Sequence, residues 1–304
     1  MQGPANPPSR GIYSLLVIVV LAWGLSWPAN KAGLTFIPPL WFASLRLLYA
    51  TVVMFALAAY IKKLIVPTLK DLPMIFSLGV FQIGLFILFI NLGLDVQQSG
   101  TSAILVYTTP LWVMPMAIFF FKEFNSTLKW VGFTLGLIGV VIMLNPWEMD
   151  WTNTRTVVGA IFLMGASVSF SISILCARYM TWHHTPIELV SWQLLVGSVM
   201  VLIVALVLQP HPDLQLNLTS ITTLSYTAVV ATAFGFFGMS KLSKELPSTL
   251  TSISFLGVPV SGVIFSVILL HEPLDLHMVI AMLFITCGLV CVVLGEKKKA
   301  SKSK

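Results

Sequence analysis

The sequence predicts an all-α membrane protein of ten transmembrane helices, arranged as two inverted five-helix repeats. Three observations predict it. Of the 304 residues, 57% are hydrophobic and only 9% are charged, whereas a soluble domain carries about 25% charged residues. Apolar runs of roughly 18–24 residues recur along the chain, each enough for a helix to cross a hydrocarbon core of about 30 Å. One segment design appears twice, 149 residues apart.

The duplicated design is SGTSAILVYTTPLWVMPMAIFFFK from Ser99, closed by Glu123, and STLTSISFLGVPVSGVIFSVILLH from Ser248, closed by Glu272. Pro110 and Pro259 each stand 13 residues before their glutamate. The same offset carries Gly139-Val140-Val141 onto Gly288-Leu289-Val290, so the register extends into the following helix.

In chain order, the spans fall at roughly 11–30, 39–61, 71–92, 97–121, 128–145, 157–180, 187–208, 219–240, 249–270 and 276–294. The first run leads into AWGLSWPANK, which is bulky and lacks a small-residue cleavage site, so it is expected to be retained as a span. No run alternates as barrel strands do, and helices then satisfy the backbone in lipid. Most connections are roughly 4–11 residues, which leaves no room for a soluble domain; PWEMDWTNTR, 146–155, joins the halves. The expected units are a first repeat at 11–145, a second at 155–294 and a basic tail at 295–304.

Numbering the connections alternately from the N-terminus places 14 basic residues on one side of the membrane and two, Lys31 and Arg155, on the other. Arg46 lies inside a span. The positive-inside rule then sets both termini in the cytoplasm of an inner or plasma membrane. Because each half has an odd number of spans, the second enters from the opposite face. Inverted repeats of this kind build a binding site at the midplane in several transporter folds. The tail lysines Lys297, Lys298, Lys299, Lys302 and Lys304 fit anionic headgroups of the lipid bilayer, and no nucleic-acid partner is expected. Cys176, Cys287 and Cys291 lie in apolar runs and read as packing residues without a disulfide.

Trp23-Gly24-Leu25-Ser26-Trp27 in the first span, Arg46 in the second, and the proline-then-glutamate pattern of the fourth and ninth resemble the EamA-type branch of the drug/metabolite transporter superfamily. The resemblance covers about 11–294 and is nearest to bacterial inner-membrane amino-acid and metabolite exporters. It implies two five-helix EamA-type repeats and transport of a small-molecule substrate, with efflux favoured. The second half departs from the pattern, having no Trp-Gly motif in its first span, and Gln193 stands near the position that mirrors Arg46.

Arg46 is the clearest candidate substrate-binding residue. It lies about seven residues, or roughly 10 Å, into its span, where a charge is costly and faces a bundle interior or a wet cavity. A guanidinium clamps a carboxylate with two parallel hydrogen bonds; snorkelling to the interface is the structural alternative. Trp23, Trp27 and Asn30 share one face of the first span beside Pro28, as an aromatic wall with a polar group above it or as packing and anchoring residues. Gln82 shares a face with Phe86 and Phe89, with Asn91 beyond; a helix–helix hydrogen bond competes with a substrate contact there. Tyr107 and Trp112 flank Pro110, which frees a carbonyl. Trp192 and Gln193 are candidates by half-to-half position, whereas Ser167, Ser169, Ser171 and Ser173 read as close-packing residues.

Pro110, Pro259, Glu123, Glu272 and His271 are the gating or coupling candidates. A carboxylate at its own helix C-terminus is opposed by the dipole, so each glutamate is expected to pair elsewhere. His271, beside Glu272, is the proton-coupling candidate at that end. The adjacent His183 and His184 read as a solvated loop, because no cysteine or carboxylate cluster surrounds them, and neither a metal nor another cofactor is expected.

Two other classes compete with a secondary transporter. An intramembrane enzyme acting on a lipid-like substrate would need paired carboxylates or a histidine–aspartate set within the membrane, and none is present. A channel would need a polar ring along a pore, and the spans are too apolar. The chain has no G-x-x-x-x-G-K-[ST] phosphate loop, so ATP hydrolysis by this chain is not its driving force. A homodimer is one assembly open to it.

Overall fold

The computed structural model describes residues 10–122, 127–145, 147, 152–246, 251 and 254–302. Among them, helices are the only regular elements: α1 (Arg10–Leu34), α2 (Pro39–Tyr60), α3 (Leu72–Val96), α4 (Ser99–Phe121), α5 (Thr127–Leu144), α6 (Thr154–Tyr179), α7 (Pro186–Leu208), α8 (Leu218–Ser225, continued by Tyr226–Phe234 and Gly235–Glu245), α9 (Gly257–Leu270) and α10 (Leu276–Lys302). Nine are long and apolar enough to cross a membrane, and α9 is a shorter apolar helix. The predicted ninth span begins at 249, and residues 247–250 and 252–253 lie outside the described set, as does Glu123.

Local chemistry starts these helices where the polar connections end. Pro39 and Pro186 sit at first helical positions, where the missing N–H costs nothing. Thr185 and Glu188 form a reciprocal capping box on α7, and Asn217 caps α8 through the N–H of Ser220.

The irregular places repeat as well. A π-helical stretch interrupts α3 at Leu78–Leu85, and another interrupts α8 at Tyr226–Phe234, 148 and 149 residues later at its two ends. The helix of α4 breaks at Tyr107 and Thr108 and restarts at Thr109; α9 starts at Gly257 after a turn at Leu256. Pro110 and Pro259 explain both, since proline suits the first turn of a helix and breaks an interior. Each of these helices then ends on a left-handed residue, Lys122 (φ 52°) and His271 (φ 53°), 149 residues apart.

Packing follows the same pairing of halves. Helix α1 lies against α8 and α9, and α6 lies against α3 and α4. Helix α2 packs on α7, and α5 on α10. Exchanging each helix of the first five for its counterpart in the second five turns this set into itself. Both self-paired contacts run antiparallel: Trp41 Nε1 donates to Gln209 O (2.8 Å) while Ser191 Oγ donates to Met54 O (3.3 Å). In the α5–α10 seam, Gly132 faces Gly288 and Cys291, whereas Gly139 faces Ala281 and Ile285. A Cβ at Gly288 would stand 2.6 Å from Gly132 O and 2.7 Å from Gly136 N, so the backbones touch.

The core has no single centre. One cluster, including Trp27, Phe42, Leu94, Ile104 and Leu163, joins α1, α2, α3, α4 and α6; another, including Leu47, Met54, Ile83 and Leu194, joins α2, α3 and α7. Large apolar side chains such as Val52, Phe119 and Val207 are exposed on the periphery, as a protein solvated by lipid requires.

Candidate functional site

The site is built on the π-helical stretch of α8. Widening the turn breaks the i→i−4 ladder and leaves backbone carbonyls for other donors. Trp23 Nε1 donates to Ala231 O (2.8 Å), and the next residue, Thr232, donates its hydroxyl to Thr227 O (2.8 Å). Tyr226 Oη closes the same contact by donating to Ala22 O (2.9 Å). The corresponding stretch of α3 is served alike, by Ser169 Oγ donating to Phe81 O (2.7 Å).

Arg46 points from α2 onto this stretch. Its Nε donates to Thr232 Oγ1 (2.9 Å) and its Nη1 to Asn30 Oδ1 (3.2 Å). Arg46 is 5% exposed and Asn30 2% exposed, so the guanidinium is inside the bundle and does not snorkel. Both acceptors are neutral, and among the described residues no carboxylate pairs with it. Among the described residues, three buried side-chain atoms are sealed without any partner: Ser44 Oγ, Asn91 Oδ1 and Gln193 Nε2. Among the described residues Arg46 Nη2 makes no hydrogen bond, and it is not one of the sealed atoms: it keeps a trace of accessible surface. The same holds for Asn30 Nδ2 and Trp27 Nε1.

Trp27 is buried and sets its ring edge-on to Tyr107, with centroids 6.5 Å apart. Thus Arg46 of α2 meets Asn30 of α1, and Trp27, three residues before Asn30, meets Tyr107 of α4, with Trp23 fixed one turn further back. The other candidates lie elsewhere. Trp112 Nε1 donates to Thr108 Oγ1 (3.3 Å), which meets Ser167 at 3.1 Å in the α4–α6 contact. Trp192 donates to Ile65 O (2.9 Å) and stacks edge-on against Phe55, pinning the α2–α3 connection. Gln82 is half-buried and has no side-chain hydrogen bond among the described residues. Gln193 is not the mirror of Arg46: the 149-residue offset carries Ser44 onto Gln193 and Arg46 onto Leu195.

At one end of the bundle, Glu272 accepts from the backbone N–H of Ser99 (2.6 Å) and of Gly100 (2.9 Å). Beside it Lys31 Nζ donates to the carbonyls of Leu94 (2.7 Å), Asp95 (3.1 Å) and Gln97 (2.8 Å), capping α3. Both side chains line one crevice of about 340 Å³. Pro259 is buried in the first turn of α9. His271 is exposed, and its side chain makes no hydrogen bond or ion pair with Glu272.

At the opposite end, His184 is not a freely solvated loop residue: its Nδ1 lies 2.9 Å from Oδ1 of the buried Asp71. Burial pushes the Asp71 carboxyl up, but hydrogen bonds from Thr68 and His184, together with the His184 charge, outweigh it and hold the group near about 2. Lys63 meets Glu188 at 3.0 Å nearby. Thr232, Lys31 and the Asp71–His184 pair were not readable as site residues. Only the bias of basic residues toward this end hinted that its loops carry charge pairs.

These features define a multi-pass membrane protein of the transporter class. The family model described as "EamA-like transporter family" matches residues 10–145 and again 157–294, and the chain belongs to that family. It is 26% identical over 279 residues to "Uncharacterized transporter YoaV" of Bacillus subtilis, covering 90% of this chain and 94% of that one. It is 25% identical to the "Probable amino-acid metabolite efflux pump" of Escherichia coli, covering 96% and 97% of the two chains. A solved crystal structure shares the fold at a TM-score of 0.67 and 17% identity, over 96% of this chain and all of its own.

Proposed function

We propose that the chain is a secondary transporter that moves a small metabolite, an amino acid or related compound, across the inner or plasma membrane by alternating access, with efflux as the working direction. The observation that carries the reading is Arg46, a buried guanidinium held by two neutral acceptors, with Nη2 left without a hydrogen bond among the described residues. Such a charge is expensive unless a ligand or water completes it, and a carboxylate fits it bidentately.

Alternating access needs two halves that can exchange roles. The antiparallel packing of α2 on α7 and of α5 on α10, and the matching π-helical stretches, support ten spans in two inverted halves around a shared chamber, with both termini cytoplasmic. Glu272 then secures the outer face, with Pro110 and Pro259 at the helix breaks that let α4 and α9 flex. The named efflux pump among the relatives supports both the substrate class and the direction.

The test is counterflow. Protein in liposomes preloaded with an unlabelled amino-acid mixture should accumulate labelled amino acid saturably, and Arg46→Gln should abolish this while remaining folded. Absence of counterflow for every solute tried would sink the reading, and recovery of a chemically altered solute would favour an intramembrane enzyme.

A further inference from the structure

The donor inventory around Arg46 goes further than the substrate class. The side-chain groups left there without a hydrogen bond among the described residues are donors: Arg46 Nη2, Asn30 Nδ2 and Trp27 Nε1. The Asn30 carbonyl accepts from Arg46, which turns the two N–H groups of its amide away from the guanidinium. Trp27 and Asn30 stand three residues apart on α1, within about 5–6 Å of one another. Tyr107, edge-on to Trp27, adds a hydroxyl that serves either role.

Among the described residues no acid balances these donors. Each described acidic side chain is held at an end of the bundle. Asp71 binds Thr68 and His184, Glu188 binds Thr185 and Lys63, Asp95 faces Arg155, and Glu272 caps α4. Asp213, Glu245 and Asp275 are exposed outside the apolar spans. An α-ammonium group reaching the Arg46 site would therefore meet a positive charge and no anionic partner. The rings of Trp27 and Tyr107 can tolerate a cation, but they add only about 0.5–2 kcal/mol.

We propose that this site recognises its solute through the carboxylate and does not require the α-ammonium group, so that 2-oxo acids bind on a par with the matching amino acids. The inference rests on Arg46 lying in the solute path, as proposed above. Asn30 is then a specificity-determining residue: with its carbonyl on Arg46, its amide sets a second donor beside the guanidinium.

The experiment measures binding by the purified full-length protein in detergent, by calorimetry and by shift of the unfolding temperature. The probes are alanine, leucine and phenylalanine, each with its 2-oxo acid and its decarboxylated amine. For at least one side-chain size, amino acid and 2-oxo acid should bind within about threefold of one another, and the amine should not bind. Arg46→Lys should weaken both acids at least tenfold. Asn30→Asp, nearly isosteric, sets a carboxylate against the guanidinium; it should abolish binding of the acids and leave the unfolding temperature within a few degrees of wild type. Binding of the amine by the wild type, loss of the 2-oxo acid where the amino acid binds, or no binding by any probe overturns the proposal. Counterflow of amino acids in liposomes, scored separately, tells failure of this inference from failure of the transport reading: counterflow with no 2-oxo acid binding removes only the former.

Discussion

Glu272 and Ser99 are 173 residues apart in the chain and meet at 2.6 Å, carboxylate oxygen to backbone N–H. The same carboxylate takes the N–H of Gly100 at 2.9 Å, and the Ser99 hydroxyl accepts from Ser266 Oγ at 2.9 Å. A glutamate that is out of place at the C-terminus of α9 is thus in its natural place at the N-terminus of α4. Two orphan donors are satisfied and the helix dipole favours the charge. One half of the molecule caps a helix of the other.

Removing that charge should therefore loosen the end of the bundle. Glu272→Gln keeps one acceptor and should lower stability by about 1 kcal/mol, with Glu272→Ala costing more. Thermal unfolding in detergent measures this. If the cap also holds the outer face shut, a cysteine at Gln98 should react several-fold faster with an impermeant maleimide in Glu272→Gln than in the parent. Both proteins would carry alanine at Cys176, Cys287 and Cys291. Equal rates would make the cap purely structural.

Thr232 should control transport through Arg46. Its hydroxyl accepts Nε at 2.9 Å, and a hydrogen bond to a charged group is worth about 1.5–3 kcal/mol. Thr232→Val should raise the half-saturation concentration for counterflow by roughly tenfold or more at similar protein yield, and Thr232→Ser should restore it. If Val and Ser behave alike, the guanidinium does not depend on this partner.

The sequence makes the two prolines, Glu272 and the buried arginine legible, because each is a matter of composition or spacing. It hides the π-helical stretches: Leu78–Leu85 and Tyr226–Phe234 differ from ordinary apolar helix only in hydrogen-bond register, and no residue type marks that. With them it hides Thr232, whose importance comes from standing at a widened turn. The 149-residue offset pairs Gln193 with Ser44, two residues before Arg46. Ser44 and Gln193 do share a state, since each keeps a sealed, unpartnered polar atom. His184 and Asp71 come from connections 113 residues apart, a distance that spacing cannot bridge.

That pair sets a pH dependence with a definite sign. The Asp71 carboxyl is depressed from 3.8 to about 2 in the folded protein; burial alone would raise it, and the hydrogen bonds of Thr68 and His184 prevail. A depressed carboxyl stabilises the fold above its unfolded value and loses that contribution as pH falls through the folded value. The contribution of Asp71 should thus be full above about pH 4 and disappear toward about pH 2. Asp71→Asn should be less stable than wild type at pH 7 and should lose less on acidification across that window, as followed by tryptophan fluorescence. Parallel curves would show that the pair contributes no linkage.

The α5–α10 seam should behave as a scaffold, separable from the site. At Gly288 an added Cβ meets Gly132 O at 2.6 Å, Gly136 N at 2.7 Å and Gly136 Cα at 3.0 Å, and all three are backbone atoms that cannot rotate away. At Gly257 it meets only a Val20 methyl, at 3.1 Å. Gly288→Ala should therefore destabilise by about 1–3 kcal/mol, in the range of overpacked sites, and Gly257→Ala by distinctly less. Gly132 presses on the same crossing from the other side, so Gly132→Ala combined with Gly288→Ala should cost less than the two single costs added, because one separation of the helices relieves both. In the folded fraction of Gly288→Ala, the half-saturation concentration for counterflow should stay at its wild-type value, since α5 and α10 contribute no side chain to the Arg46 cluster. A large change in that value with unchanged stability would place the seam in the moving part of the cycle.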